Sequence, residues 1–157
     1  MSNMKVDTLR RIGIFNELNS SELESIIHLV REETFPVNTL LFNENDEGDS
    51  LYILCSGLVK ISKGVMDNRE KTLAILSAGT LFGEMSLIDG SPRSATARTL
   101  EETRVFIVDR DNFQRMVEDN PHIGVKILQG LVRMLSQRLR ETNEQISNLV
   151  MWGLASH

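Results

Sequence analysis

A chain of 157 residues, 41% of them hydrophobic, is long enough to fold as one domain that hides roughly two-thirds of its unfolded surface, so it needs no disulfide. Its single cysteine excludes an internal disulfide and any multi-thiolate zinc or iron–sulfur centre within one chain, and points to a reducing compartment. The net charge is −5 and the basic residues are scattered, which argues against nucleic acid as a partner of this chain alone; without a secretory leader or ~18 uncharged apolar residues in a row, the expectation is a cytoplasmic protein with no membrane contact.

From Asn19 to Val30 the apolar residues Leu23, Ile26, Ile27 and Val30 recur at helical spacing behind an Asn19/Glu22 pair suited to a capping box, which places short helices in residues 1–30. Over residues 31–109 the pattern changes to short strands rich in Val, Ile, Leu and Thr. Turn signals at Asp46-Glu47-Gly48-Asp49, Ser56-Gly57, Asp67-Asn68, Ala78-Gly79 and Asp89-Gly90-Ser91-Pro92 interrupt them. Turns this frequent imply an antiparallel β-roll or jelly-roll barrel, mainly β within an α+β class. Cys55, inside Leu51-Tyr52-Ile53-Leu54-Cys55, reads as a small apolar strand residue.

The helical period returns over residues 110–151. Asp119-Asn120-Pro121 marks a helix start, because proline in the first turn forfeits no needed hydrogen bond, and the helix is expected to run to about Met151. Leu135, Leu139, Thr142, Ile146 and Leu149 follow steps of four, three, four and three, a heptad seam that either packs on the barrel or pairs with a second copy in a homodimer.

Residues 82–97 carry the chemistry. Ala78-Gly79-Thr80-Leu81-Phe82 ends a strand and Glu84 to Ile88 fits one or two helical turns, so Gly83 lets an anion approach unpaired backbone N–H groups. Arg93 adds a planar guanidinium able to hold two phosphate oxygens. Glu84 is awkward beside a phosphate unless it accepts a hydrogen bond from a neighbouring sugar hydroxyl, as a cyclic nucleotide would offer. On these residues alone, an ordinary ion pair between Glu84 and Arg93 stays open as well.

Phe82-Gly83-Glu84-Met85-Ser86-Leu87 followed by Pro92-Arg93-Ser94-Ala95-Thr96 resembles the phosphate-binding cassette of the cyclic nucleotide-binding domain family, found in bacterial catabolite activators and in regulatory subunits of cAMP-dependent protein kinase. The helix–barrel–helix order extends the resemblance over nearly the whole chain. It implies a ribose 2′-hydroxyl on Glu84 and the cyclic phosphate on Arg93, Ser94 and the backbone from Gly83 through Met85 to Ser86. The nine positions from Glu84 to Arg93 are closer to the kinase subunits than to the bacterial activator, whose loop is one residue longer. The segment Arg138 to Leu149 resembles the activator's dimerisation helix, which implies that Thr142 contacts the base and that Asn143 reaches the partner subunit's nucleotide. A polar seam residue that tunes helix pairing is the other reading of Thr142.

For the base, cAMP is expected first and cGMP second; Ser94 serves either the phosphate or the exocyclic amine of a syn guanine. Val59, Leu73 and Phe82 are expected either as apolar walls or as plain barrel core, and Trp152 either caps the purine or belongs to an exposed tail or a dimer contact. No DNA-reading helix is recognised among residues 1–157, so the chain reads as a freestanding sensor acting through an unidentified effector, or as the sensor portion of a longer regulator. A dimeric interaction module that no longer binds nucleotide is the rival. His28, His122 and His157 fall in separate elements, without the order of a catalytic triad or the spacing of a metal site; no catalytic activity, metal or cofactor is expected.

Overall fold

The computed structural model describes residues 2–156; His157 lies outside them. Helix α1 (Ser2–Arg10) leads to α2 (Ser20–Ile26) and a 3-10 turn (Ile27–Leu29). At the start of α2 the expected capping box is present: the Asn19 carboxamide accepts from the Glu22 backbone N–H, and the Glu22 carboxylate accepts from the Asn19 backbone N–H.

Eight strands follow: β1 (Arg31–Phe35), β2 (Leu40–Phe42), β3 (Ser50–Ser56), β4 (Val59–Val65), β5 (Arg69–Leu76), β6 (Leu81–Phe82), β7 (Thr96–Thr99) and β8 (Thr103–Asp109). They form two four-stranded antiparallel sheets, in the orders β1-β8-β3-β6 and β2-β7-β4-β5. Asp67 and Asn68 both adopt positive φ, 65° and 57°, the geometry of a tight hairpin turn between β4 and β5. A short helix, α3 (Glu84–Asp89), interrupts the strands after β6, and α4 (Arg110–Glu118) and α5 (Pro121–Ala155) close the chain. Helix α5 starts at Pro121 as expected, with the Asn120 side chain accepting from the Ile123 N–H, and runs past Met151 to Ala155.

Apolar residues divide between two cores by strand alternation. Leu51 and Ile53 of β3 and Phe106 and Val108 of β8 face a core shared with α1, α2, α4 and the first half of α5, where Leu9, Phe15, Met116, Ile123 and Ile127 are almost fully buried. Leu54, Val105 and Ile107 face the opposite way, into the barrel, with Val59, Phe82 and Ala97. Burial on both faces explains why β3 and β8 read as nearly continuous apolar runs. Burial also pushes the Cys55 thiol up to about 11, so at neutral pH it behaves as the small strand residue expected.

Glycine fits α5 closely against the N-terminal segment and against α4. A Cβ at Gly130 would stand 2.6 Å from the Ile14 Cα, and one at Gly124 would stand 2.7 Å from the Val117 carbonyl oxygen. The opposite face of α5 is unpartnered in a single chain. Val125, Leu128, Val132, Leu139, Ile146 and Leu149 are exposed there at alternating steps of three and four once Leu135 and Thr142 are counted, so the seam reaches back from Leu135 to Val125. No helix among the described residues is long and apolar enough to cross a membrane.

Candidate functional site

A cavity of about 400 Å³ opens between the barrel, α3 and α5. Gly83, with φ of 80°, ends the β6 strand and turns the chain directly into α3, so the first N–H groups of that helix lack intrahelical partners. Gly83, Glu84, Met85, Ser86, Arg93 and Ser94 all line the cavity, as does Phe82. Residues 82–86 and 93–95 therefore form one wall, because they are close in sequence and the chain folds back between them at Gly90, where φ is 71°.

Arg93 is the central cation. Although it is only 4% exposed, no carboxylate lies within ion-pair distance of it among the described residues. Its Nη1 donates to the Gly83 carbonyl at 2.9 Å and its Nη2 to the Ser50 carbonyl at 2.8 Å. The guanidinium lies 4.2 Å from the Phe42 ring centroid, and Phe42 packs with Tyr52 and Phe82 in an aromatic cluster. Its Nε is buried without a hydrogen-bond partner. Burial lowers the pKa of Arg93 from its ordinary value, while Tyr52 and the acidic residues Asp49, Asp46 and Glu84 oppose that shift. A desolvated cation whose charge meets only carbonyl dipoles and an aromatic face is a costly arrangement, and an anion is the group that relieves it.

Two glycines hold this cation in place. A Cβ at Gly83 would sit 2.6 Å from the Arg93 Nη1, and a Cβ at Gly48 would sit 2.2 Å from the Ser86 Cβ and 2.9 Å from the Arg93 Nε. The loop before β3 therefore packs directly behind the cassette. Arg110, at the start of α4, donates to the Gly48 carbonyl at 2.7 Å and to the Ser86 carbonyl at 3.0 Å, which ties the helical segment to the same loop and cassette.

Glu84 and Arg93 do not pair with one another, so the ordinary ion-pair reading of those two residues fails. Instead the Glu84 carboxylate, 5% exposed, accepts from the Arg138 Nη1 of α5 at 2.6 Å, and Arg138 also donates to the Leu81 carbonyl. Helix α5 thus reaches over the cavity and grips the cassette through a single arginine.

Other sequence expectations distribute differently. Leu73 is 53% exposed, on the face of β5 opposite Ala74 and Leu76, and those two form the wall instead. A register shift between Ile61 and Ser62 in the β4–β5 pairing, with Ile61 opposite Ala74, settles which side chains point inward. Val59 is fully buried in the barrel core and does not line the cavity; Ile61, two residues on, does. Thr142 and Asn143 are exposed and lie outside the cavity lining of a single chain, and the Thr142 hydroxyl donates to the Arg138 carbonyl at 2.9 Å. Trp152 is 75% exposed and caps nothing within one chain. Residues the sequence reading passed over include Phe42, Ile61, Ala74, Leu76, Arg138 and Glu141. Arg138 carried one signal, its place one helical turn before Thr142.

The family model for the cyclic nucleotide-binding domain matches residues 32–120. The chain is 35% identical over 144 residues to the CRP-like cAMP-activated global transcriptional regulator of Mycobacterium tuberculosis, a match that takes in 92% of this chain and 62% of the relative. Among solved structures, the catabolite activator protein of Thermus thermophilus superposes with a TM-score of 0.77 at 30% identity, covering 87% of this chain and 62% of that one. A cyclic nucleotide-binding domain from Methylobacillus flagellatus superposes with a TM-score of 0.82 at 28% identity, covering 92% and 82%. The chain thus spans about 62% of the length of the first two.

Removing Arg138 strands the Glu84 carboxylate in a nearly buried position. A double-mutant cycle with Glu84→Gln and Arg138→Leu, read by urea unfolding, is expected to give a favourable coupling of roughly 1–2 kcal/mol, kept modest because the arginine end is partly exposed. Additive effects would show that the two side chains do not hold each other.

Proposed function

The chain belongs to the cyclic nucleotide-binding domain family, and on that footing we propose that it is a receptor for a 3′,5′-cyclic nucleotide, cAMP first and cGMP second. The carrying observation is the buried, uncompensated Arg93 in the cavity wall. A cyclic phosphate supplies the anion this cation lacks, accepted by the Arg93 guanidinium together with Ser86, Ser94 and the backbone N–H groups after Gly83. Glu84 accepts a hydrogen bond from the ribose 2′-hydroxyl, with Arg138 holding the carboxylate in place. Ile61, Ala74, Leu76 and Phe82 supply the apolar surface on which a purine would lie. The preference for cAMP rests on the names of the relatives, one a cAMP-activated regulator and another a cyclic AMP receptor protein.

Signal output is proposed to run through α5. Ligand phosphate draws on the same guanidinium that now bonds Gly83 and Ser50, the cassette adjusts, and its ties to Arg138 and Arg110 carry the change into α5 and α4. The ligand shifts a two-state equilibrium by its differential affinity for the two arrangements. The exposed heptad stripe from Val125 to Leu149 supports homodimer formation, which would bring Thr142 and Asn143 of one copy toward the partner's site. The output is then read by an effector protein in the cytoplasm, with the residues of this chain contacting neither DNA nor membrane and catalysing no reaction. The domain is proposed to comprise a helical segment 1–30, a β-roll 31–109 and output helices 110–151.

Titration calorimetry with cAMP and cGMP tests the receptor reading. At least one nucleotide is expected to bind, and Arg93→Leu to weaken it by about a hundredfold or more, because the phosphate then enters a desolvated site without its cation. Absence of heat with either nucleotide would support the rival interaction module. For the output step, hydrogen exchange beyond Pro121 is expected to change on adding cAMP, and unchanged protection there would sink the route through α5. Sedimentation should show a dimer for the native chain and a monomer for Leu139→Asp, since a charge in the middle of the seam cannot be buried unpaired; a dimer that survives the substitution would place the interface elsewhere.

A further inference from the structure

One short segment holds Arg93 at both ends. The Arg93 backbone N–H donates to the Asp46 carbonyl at 2.8 Å and its carbonyl accepts from the Asn45 N–H at 2.8 Å, while its guanidinium lies over the ring of Phe42, 4.2 Å from the centroid. Phe42 meets the cation because of an irregularity in the sheet. Leu40, at the start of β2, is exposed and pairs with Arg98; in an unbroken antiparallel register Phe42 would pair with Thr96 and share the exposed side with Leu40. Instead the register shifts between these two residues, Phe42 pairs with the fully buried Ala97, and its side chain packs against the barrel core. There the ring is braced by Tyr52 at 5.6 Å and Phe82 at 6.1 Å, centroid to centroid, and it lines the cavity. Irregularities of this kind gather beside binding sites, where they re-aim a side chain.

Resting on the receptor reading above, we infer that Phe42 is a positioning residue for phosphate binding: its ring does part of the work of a counter-ion for Arg93 and keeps the guanidinium where the phosphate arrives. The negative face of an aromatic ring attracts a cation, most strongly where water is excluded. A carboxylate in the same place would compensate more of the charge, but it would take up N–H donors of the guanidinium and the incoming anion would have to displace it. Contact with a ring consumes no donor, so compensation by Phe42 and capture of phosphate oxygens are compatible. The Tyr52 ring, its centroid 5.9 Å from the guanidinium, adds a weaker share. Without the Phe42 ring the cation gains by swinging toward water, and ligand binding then includes the cost of drawing it back.

Calorimetry on the full chain with cAMP and cGMP, with the thermal midpoint of each variant recorded alongside, tests the assignment. Phe42→Leu keeps an apolar side chain and removes the ring; it is expected to weaken the better-bound nucleotide about tenfold. A graded series of fluorinated phenylalanines at position 42 separates charge from shape, because each added fluorine draws electron density from the ring face while the ring stays close to its native size. Affinity is expected to fall stepwise along that series and to reach about the tenfold loss of Phe42→Leu at full fluorination. A ring that merely fills the barrel would lose affinity on truncation and keep it on fluorination, and a flat fluorine series therefore overturns the inference while the receptor reading stands. Binding in folded Phe42→Leu within about twofold of native overturns it as well. So does tighter binding in any of these variants, which would mean that the ring competes with the anion. If Phe42→Leu does not fold, the fluorinated chains decide. If the native chain binds neither nucleotide, the receptor reading falls and this inference falls with it.

Discussion

A buried guanidinium without a counter-ion among the described residues organises this molecule. Arg93 is enclosed by the Phe42 ring on one side, by the Gly83 and Ser50 carbonyls at its tip, and by the Gly48 loop behind its Nε. Each neighbour is present because something small or planar fits there: glycine at 48 and 83, an aromatic face at 42. Carbonyl dipoles satisfy hydrogen bonds but do not neutralise a charge, so the site is arranged around an electrostatic deficit that an anion can fill. The apolar wall opposite intensifies the effect, since weaker screening strengthens any charge pair formed inside.

Glu84 and Arg138 supply the second constraint. A glutamate close to Arg93 would repel an anion drawn to that cation, yet here its charge is held by an arginine from a different part of the chain. The same contact brings α5 to the cavity, so the helix and the acid are positioned by one bond. Arg110 performs a parallel service from α4, where a single side chain bridges the carbonyls of Gly48 and Ser86. Both helices therefore touch the cassette through arginine-to-carbonyl or arginine-to-carboxylate bonds, which are directional and break over short displacements.

Legibility in the sequence followed distance along the chain. The cassette was readable because Gly83, Glu84, Ser86 and Arg93 are near one another and each residue type has a specific use. The capping box at Asn19 and the proline start at Pro121 were readable for the same local reason. The apolar wall of the cavity was not. Choosing between Leu73 and Ala74 depends on a register shift in the β4–β5 pairing, and the larger side chain proved to be the one facing solvent. Val59 shared the correct face with Ile61 but lay too deep. Arg138 stands fifty-four residues from Glu84, and that partnership exists only once α5 has folded across the barrel. The seam on α5 was visible from Leu135 onward, while its earlier half at Val125 to Val132 was masked by the buried stripe that shares those turns.

Strands β3 and β8 belong to two cores at once, with Ile53 and Phe106 facing the helices and Leu54 and Val105 facing the barrel. The helical layer and the barrel therefore cannot melt as separate units, because opening either one uncovers half of the same two strands. Such a domain unfolds as a whole. Any molecule that binds only the folded cavity then draws the entire chain toward the native state by mass action, including helical turns it never touches. In this architecture the occupancy of one small site and the lifetime of the protein against proteolysis become the same variable.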